Sequence, residues 1–322
     1  MTDLLIRGGT VYTPAGPILA DVLVREGRIE AVGRQPGGAA AEVVEADGLW
    51  VLPGAVDAHV HSRDPGFPEK EDFGTLTAAA AAGGVTTVVD MPNTVPAVDS
   101  APVFEAKVEI ASSRALIDFG LWGMVRTGTK PAQLEELARA GAIGFKAFLG
   151  YAFHRGRLQV LQTFELDDPE LEAPPDYGTI ARLAPALARA GLPLAVHCED
   201  LSVLREFARP ARSYAEALAA RPAAAEAVAI AALGALAAGA GFRLHVVHLS
   251  SAEGLAAARR GGVASLETCP QYLWLSDEDF ERLGPVMKMY PLVRTAADRE
   301  ALVAALLAGE IATVGTDHAP HT

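Results

Sequence analysis

The chain of 322 residues contains only two cysteines, Cys198 and Cys269, far apart and outside any CxxC pair. They build neither a disulfide framework nor a cysteine-based zinc cluster, and a reducing cytoplasm suits them. Basic runs are missing as well. Lys and Arg number 27 against 40 Asp and Glu, a formal net charge of −13, so no surface that tracks a phosphate backbone is expected and nucleic acid is excluded as a partner. Long apolar runs are also absent. The Ala-rich uncharged stretch Ala227 to Phe242 has only 16 residues, and the opening MTDLLIRGGTVYTP has no h-region. Neither a membrane span nor a secretory signal is expected. What is abundant is apolar composition, 50% of the chain, enough to bury one large core and too much for a disordered chain.

From Gly84 onward one pattern recurs: an Ala-rich helical stretch runs into glycine, and a short β-branched run follows. VTTVVDM, AIGFKAFL, LPLAVH, FRLHVVHL, VASLET and IATVGTD each come after such a stop. Glycine ends a helix in the left-handed conformation, and strands without polar alternation are those buried on both faces of a parallel sheet. Adding the runs at 49–61 and 115–123 gives eight strands and predicts an α/β fold, a (β/α)8 TIM barrel. A doubly wound open sheet is the alternative, but no GxGxxG follows any strand to favour it. The first residues read as short strands split by Gly and Pro, which predicts a small β-domain over 1–50 ahead of a barrel over 51–322. The segment 150–176 is too long for an ordinary βα connection and reads as a loop over the barrel mouth or a structured insertion. Thr322 falls five residues beyond the last predicted strand, so a longer parent chain, truncated after strand 8, is expected.

Of eight histidines, several sit where chemistry is expected. His59 and His61 are spaced i, i+2 and face one way from the end of strand 1; His197, His248 and Asp317 end strands 5, 6 and 8. The C-terminal strand ends of a barrel converge on its mouth, so these residues form a candidate metal site. Lys146 lies inside a buried parallel strand and needs its charge neutralised or paired. Beside divalent metal it loses its proton readily, and the neutral amine can add carbon dioxide to become a bridging carbamate; snorkelling to the rim or pairing with an acid is the structural alternative. Blander expectations attach to four others: a solvated His154, a His245 packed between barrel and helices, a buried inert Cys198, and a His318 near the metal shell.

The motifs HVHSRDPG, MPNT, FKAFLG, VHCED, VHLSSAEG and TDHAPH, in that order, resemble those of the cyclic amidohydrolases of the amidohydrolase superfamily, most of all dihydroorotase, with allantoinase and hydantoinase as near relatives. The resemblance implies two Zn2+ per subunit. His59, His61 and Asp317 would hold the first and His197 and His248 the second, with carboxylated Lys146 and a hydroxide as bridges. Asp317 would act as general base and then as general acid. Arg63, Asn93 and His321 match the positions at which dihydroorotases bind the substrate carboxylate. Two departures alter ring recognition: Gln271 stands where many relatives have His, and Tyr290 where many have Asn. The implied activity is interconversion of L-dihydroorotate and N-carbamoyl-L-aspartate in pyrimidine biosynthesis, in the cytoplasm. The alternatives are allantoinase or hydantoinase, or a silent scaffold of the kind that accompanies aspartate transcarbamoylase. The implied partners are a small cyclic amide and further copies of the chain in a homo-oligomer. The family also returns its C-terminal segment to the N-terminal β-domain.

Overall fold

The structure is a computed structural model that describes residues 3–34, 40–163 and 166–321. Thr322 and residues 164 and 165 of the long 150–176 segment lie outside the described residues. The chain divides into two compact units, Met1–Ala55 and Val56–Thr322.

In the first unit, β1 (Leu4–Thr13) pairs antiparallel with β2 (Gly16–Arg25), and β2 with β3 (Arg28–Gly33). β4 (Glu42–Glu45) and β5 (Trp50–Val51) run parallel to β1. Alternation puts Val11, Ala20 and Val22 on one buried face, as period-2 patterning requires. The boundary lies at Ala55 rather than residue 50 because Trp50 and Val51 pair with Thr10 and Val11.

The second unit is the barrel. β6 (Ala55–Val60), β7 (Val85–Asp90) and β8 (Asp118–Leu121) form one arc. β9 (Gly123–Met124) and β10 (Phe145–Phe148) open the other. A small antiparallel sheet of β11 (Ala152–His154), β12 (Gln159–Leu161) and β13 (Leu171–Glu172) then interrupts the alternation. β14 (Pro193–His197), β15 (Arg243–Val246), β16 (Val263–Thr268) and β17 (Thr313–Val314) continue in parallel from β10. A parallel bridge between Val60 and His318 joins the two ends. The strand expected at 115–123 is split at Trp122, whose indole Nε1 donates to the Ala58 carbonyl at 3.1 Å. β8 and β9 together fill the third of eight positions, giving the α/β (β/α)8 barrel that the repeating pattern predicts.

Each strand serves two layers. On β10, Phe145 and Ala147 belong to the large core that includes the helix residues Leu137 and Ile180. Lys146 and Phe148 alternate to the other face. Val89, Met91, Trp122, Ala195 and Val247 form a separate cluster on the inner face. Gly141 and Gly191 end their helices at φ 107° and 67°, the left-handed stop that lets the chain turn straight into β10 and β14. The long segment is a structured insertion, fastened by Arg126. That guanidinium pairs with Asp99 and with Glu172 and lies 3.6 Å from the centroid of the Phe153 ring.

One stretch, Tyr214–Ala240, is apolar and long enough by length and composition to cross a membrane, which the 16-residue run did not lead us to expect. In the barrel its buried Glu226 accepts from Ser250 N at 2.9 Å and Ser250 Oγ at 3.0 Å, and Ala229, Ile230 and Leu233 pack into the core.

Candidate functional site

His59 and His61 project from the end of β6, and Asp317 follows β17. Their donor atoms lie within 4.8 Å of one another, the group among the described residues that could hold a metal ion. Each imidazole is oriented from behind. His59 Nδ1 donates to Glu267 Oε1 at 2.6 Å, and His61 Nδ1 to Asn93 Oδ1 at 2.7 Å. Both Nε2 atoms then face Asp317 Oδ1, at 3.3 Å and 3.0 Å. With the ring protons committed to Nδ1, two lone pairs and a carboxylate oxygen converge with no proton between them, an acceptor-only set that a cation satisfies. Burial pushes His61 down toward its neutral form. Burial also pushes Asp317 up, but the charge and the hydrogen bond that His59 and His61 offer when protonated outweigh it and hold the carboxylate far below its usual range. Asp57 steadies the approach, its carboxylate accepting from Thr316 N at 3.1 Å and Thr316 Oγ1 at 2.5 Å.

His197 ends β14, and its Nε2 donates to Glu199 Oε2 at 2.7 Å, a carboxylate that also pairs with Arg221. Its Nδ1 faces His248 Nε2 at 2.9 Å. His248 has left β15 and stands at φ 41°; Arg63 and Asp317 are also left-handed, at 63° and 52°. Non-glycine residues held there mark strained backbone of the kind concentrated at functional sites. Burial pushes His197 down and His248 further down. His248 Nδ1 and Lys146 Nζ are both buried without a hydrogen-bond partner, a state costing about 1–3 kcal/mol each unless something else engages them. Burial lowers Lys146 from 10.5 to about 8, so neutral amine is accessible near physiological pH. These orphans and the acceptor-only triad fit a metal centre at the six positions that the motifs single out.

All six line one cavity of about 780 Å³, within the usual range for a small-molecule site. Arg63, Asn93, Gln271, Tyr290 and His321 line it too. Arg63 is tied down, with Nε donating to the Pro320 carbonyl at 3.1 Å and Nη2 standing 3.1 Å from His321 Nε2. Asp64, the next residue along the chain, pairs with Arg114 at 2.7 Å. Tyr290 presents its ring to Arg221, whose Cζ is 3.9 Å from the centroid.

Three bland expectations need correction. His245 does not pack among the helices. Its Nδ1 meets Ser265 Oγ at 2.8 Å and its Nε2 lies 3.6 Å from Glu267, because the chain leaves the strand after Val246 and parity no longer relates it to His248. His154 is buried rather than solvated, with Nδ1 accepting from Arg157 N at 3.2 Å. The imidazole of His318 meets Glu71 at 2.8 Å, and neither residue lines the cavity that holds the candidate ligands. Sequence reasoning also missed four residues. Glu267 and Asp57 were acids within barrel strands, the same signal that singled out Lys146. Glu199 was within VHCED but unread. Tyr151 gave no signal; its ring centroid is 4.6 Å from that of His197 and it lines the cavity.

Residues 48–143 match the family model described as dihydro-orotase-like. The chain is 41% identical to an allantoinase from Rubrobacter xylanophilus, covering 99% of this chain and 68% of that protein, and 38% identical to one from Deinococcus radiodurans, covering 99% and 70%. Among solved structures, L-hydantoinase (dihydropyrimidinase) from Arthrobacter aurescens superposes with a TM-score of 0.87 at 29% identity, over 100% of this chain and 70% of that one. These names move the emphasis away from dihydroorotase, which the motifs alone had put first, and toward allantoinase. The chain belongs to the dihydro-orotase-like cyclic amidohydrolases, hydrolases that act on ring amides.

Proposed function

We propose that this protein opens the hydantoin ring of allantoin. The observation that carries the reading is the 41% identity to the Rubrobacter allantoinase across 99% of the chain. The cavity supports it: Asn93, Gln159, Gln162 and Gln271 stand on its wall, and carboxamides match the neutral ureido group that allantoin carries where dihydroorotate carries a carboxylate. The narrower assignment to pyrimidine biosynthesis is set aside.

His59, His61 and Asp317 would hold one zinc ion, and His197, His248 and a carboxylated Lys146 the second. Zinc there supplies Lewis acidity and brings the pKa of water toward neutrality. The chain does the rest. Glu267 and Asn93 fix the two imidazoles on one tautomer. Asp317, held ionised, takes one proton of the attacking water on its carboxylate and returns it to the ring nitrogen as the amide C–N bond breaks; the new carboxyl group gives up its remaining proton to solvent and leaves as a carboxylate. Tyr151, pushed up by burial, keeps its phenol proton and offers it as a hydrogen-bond donor beside His197.

The test is ring opening of allantoin, dihydroorotate and hydantoin in parallel, by the chain supplied with zinc and bicarbonate. Allantoin should be turned over with the highest kcat/KM. Faster turnover of dihydroorotate returns the protein to that enzyme's role, and no turnover of any ring removes the reading.

A further inference from the structure

The helix Ala101–Arg114 buries a lysine completely, which an amphipathic surface helix has no reason to do. Lys107 Nζ lies 2.5 Å from Asp90 Oδ2 and donates to the Met91 carbonyl at 3.0 Å. Asp90 uses its remaining capacity on one residue: Oδ1 accepts from Ser62 N and Oδ2 from Ser62 Oγ, both at 2.7 Å. Ser62 stands between His61 and Arg63, and Met91 two residues before Asn93. A single buried ammonium therefore ties together the loop that carries His61 and Arg63 and the loop that carries Asn93. The loops meet again where His61 Nδ1 donates to Asn93 Oδ1 at 2.7 Å, and the strained backbone of Arg63 is held between them. His59 is supported separately, by Glu267, and Thr316, next to Asp317, by Asp57.

We propose that Lys107, acting through Asp90 and Ser62, is a positioning residue that sets the Arg63–Asn93 wall of the cavity and the hydrogen bond that fixes the His61 tautomer. A buried ion pair of this kind is poor support for stability, since its desolvation offsets its attraction, whereas registration of two loops is a role it performs well. The kinetic arm of the test rests on the allantoin reading; the spectroscopic arm does not.

Lys107→Met, the double variant Lys107→Met/Asp90→Asn, and Ser62→Ala would be compared with the parent. In metal-free protein the imidazole Nδ1 proton of His61, assigned with Asn93→Ala, should exchange too fast to observe in the variants, while that of His59 persists. For allantoin, KM should rise on the order of tenfold with kcat per folded molecule and metal content changing less. A merely structural role would instead lower the folded fraction and leave KM unchanged. The double variant removes both charges and Ser62→Ala only the hydroxyl link, so a folded sample is available if Lys107→Met fails. A folded variant with the His61 proton signal and KM of the parent overturns the proposal. If the parent opens no ring, the functional reading falls and the His61 signal alone decides this one.

Discussion

Lys146 offers a prediction in which stability and function move in opposite directions. Its ammonium is fully buried with no hydrogen-bond partner, and burial lowers it from 10.5 to about 8. Above pH 10.5 the amine is neutral in folded and unfolded chains alike, and it imposes no penalty. As pH falls from 10.5 to 8 the unfolded chain binds a proton that the folded chain resists, so folding weakens; below pH 8 the penalty is complete, about 3 kcal/mol. Methionine has nearly the same length and no charge. Lys146→Met in metal-free protein should therefore raise stability by about 3 kcal/mol at pH 7, with the gain shrinking as pH rises from 8 toward 10. The same variant should lose nearly all activity when metal is supplied, since no amine remains to form the carbamate. Urea titrations of both proteins at pH 6, 7, 8, 9 and 10 give the comparison. Equal midpoints at pH 7, or a gain that persists undiminished at pH 10, refute the assignment of a desolvated, unpaired lysine. Full activity with two bound zinc ions refutes its place in the metal centre.

Three further outcomes follow from the geometry. Glu267→Gln keeps the shape behind His59 but replaces a charged acceptor at 2.6 Å, so chelator competition should show metal affinity lower by about 10–100-fold; unchanged affinity would remove Glu267 from the site's support. Tyr151→Phe should lower kcat by on the order of a hundredfold while KM stays within a factor of about three, and the opposite split would make Tyr151 a binding contact only. Arg63→Ala should leave allantoin turnover detectable, since carboxamides share the wall, and its abolition would show that Arg63 rather than the carboxamides holds the neutral substrate.

Much of the architecture was legible along the chain because it is repetitive. Glycine after each Ala-rich helix and apolar strands without alternation are local signals, and each is forced by backbone sterics or by burial on both faces. Strand-end positions of His59, His61, His197, His248 and Asp317, and the in-strand position of Lys146, follow from the same count, and barrel geometry brings these six residues into one cavity. What local patterning cannot carry is which atoms meet. Parity placed His245 on the wrong side because it assumes a continuous strand, and the chain leaves β15 at Val246. His154 was read as solvated because no local signal says that the 150–176 segment folds into its own sheet.

The sequence by itself determined the barrel and where along it the six candidate residues stand, through periodicity and spacing that depend only on the local backbone. Only the tertiary structure decided the tautomers of His59 and His61, the unpaired state of Lys146, and the loop registration by Lys107, Asp90 and Ser62. Those depend on hydrogen bonds between residues tens to hundreds of positions apart, whose partners are chosen when the barrel closes and water is excluded.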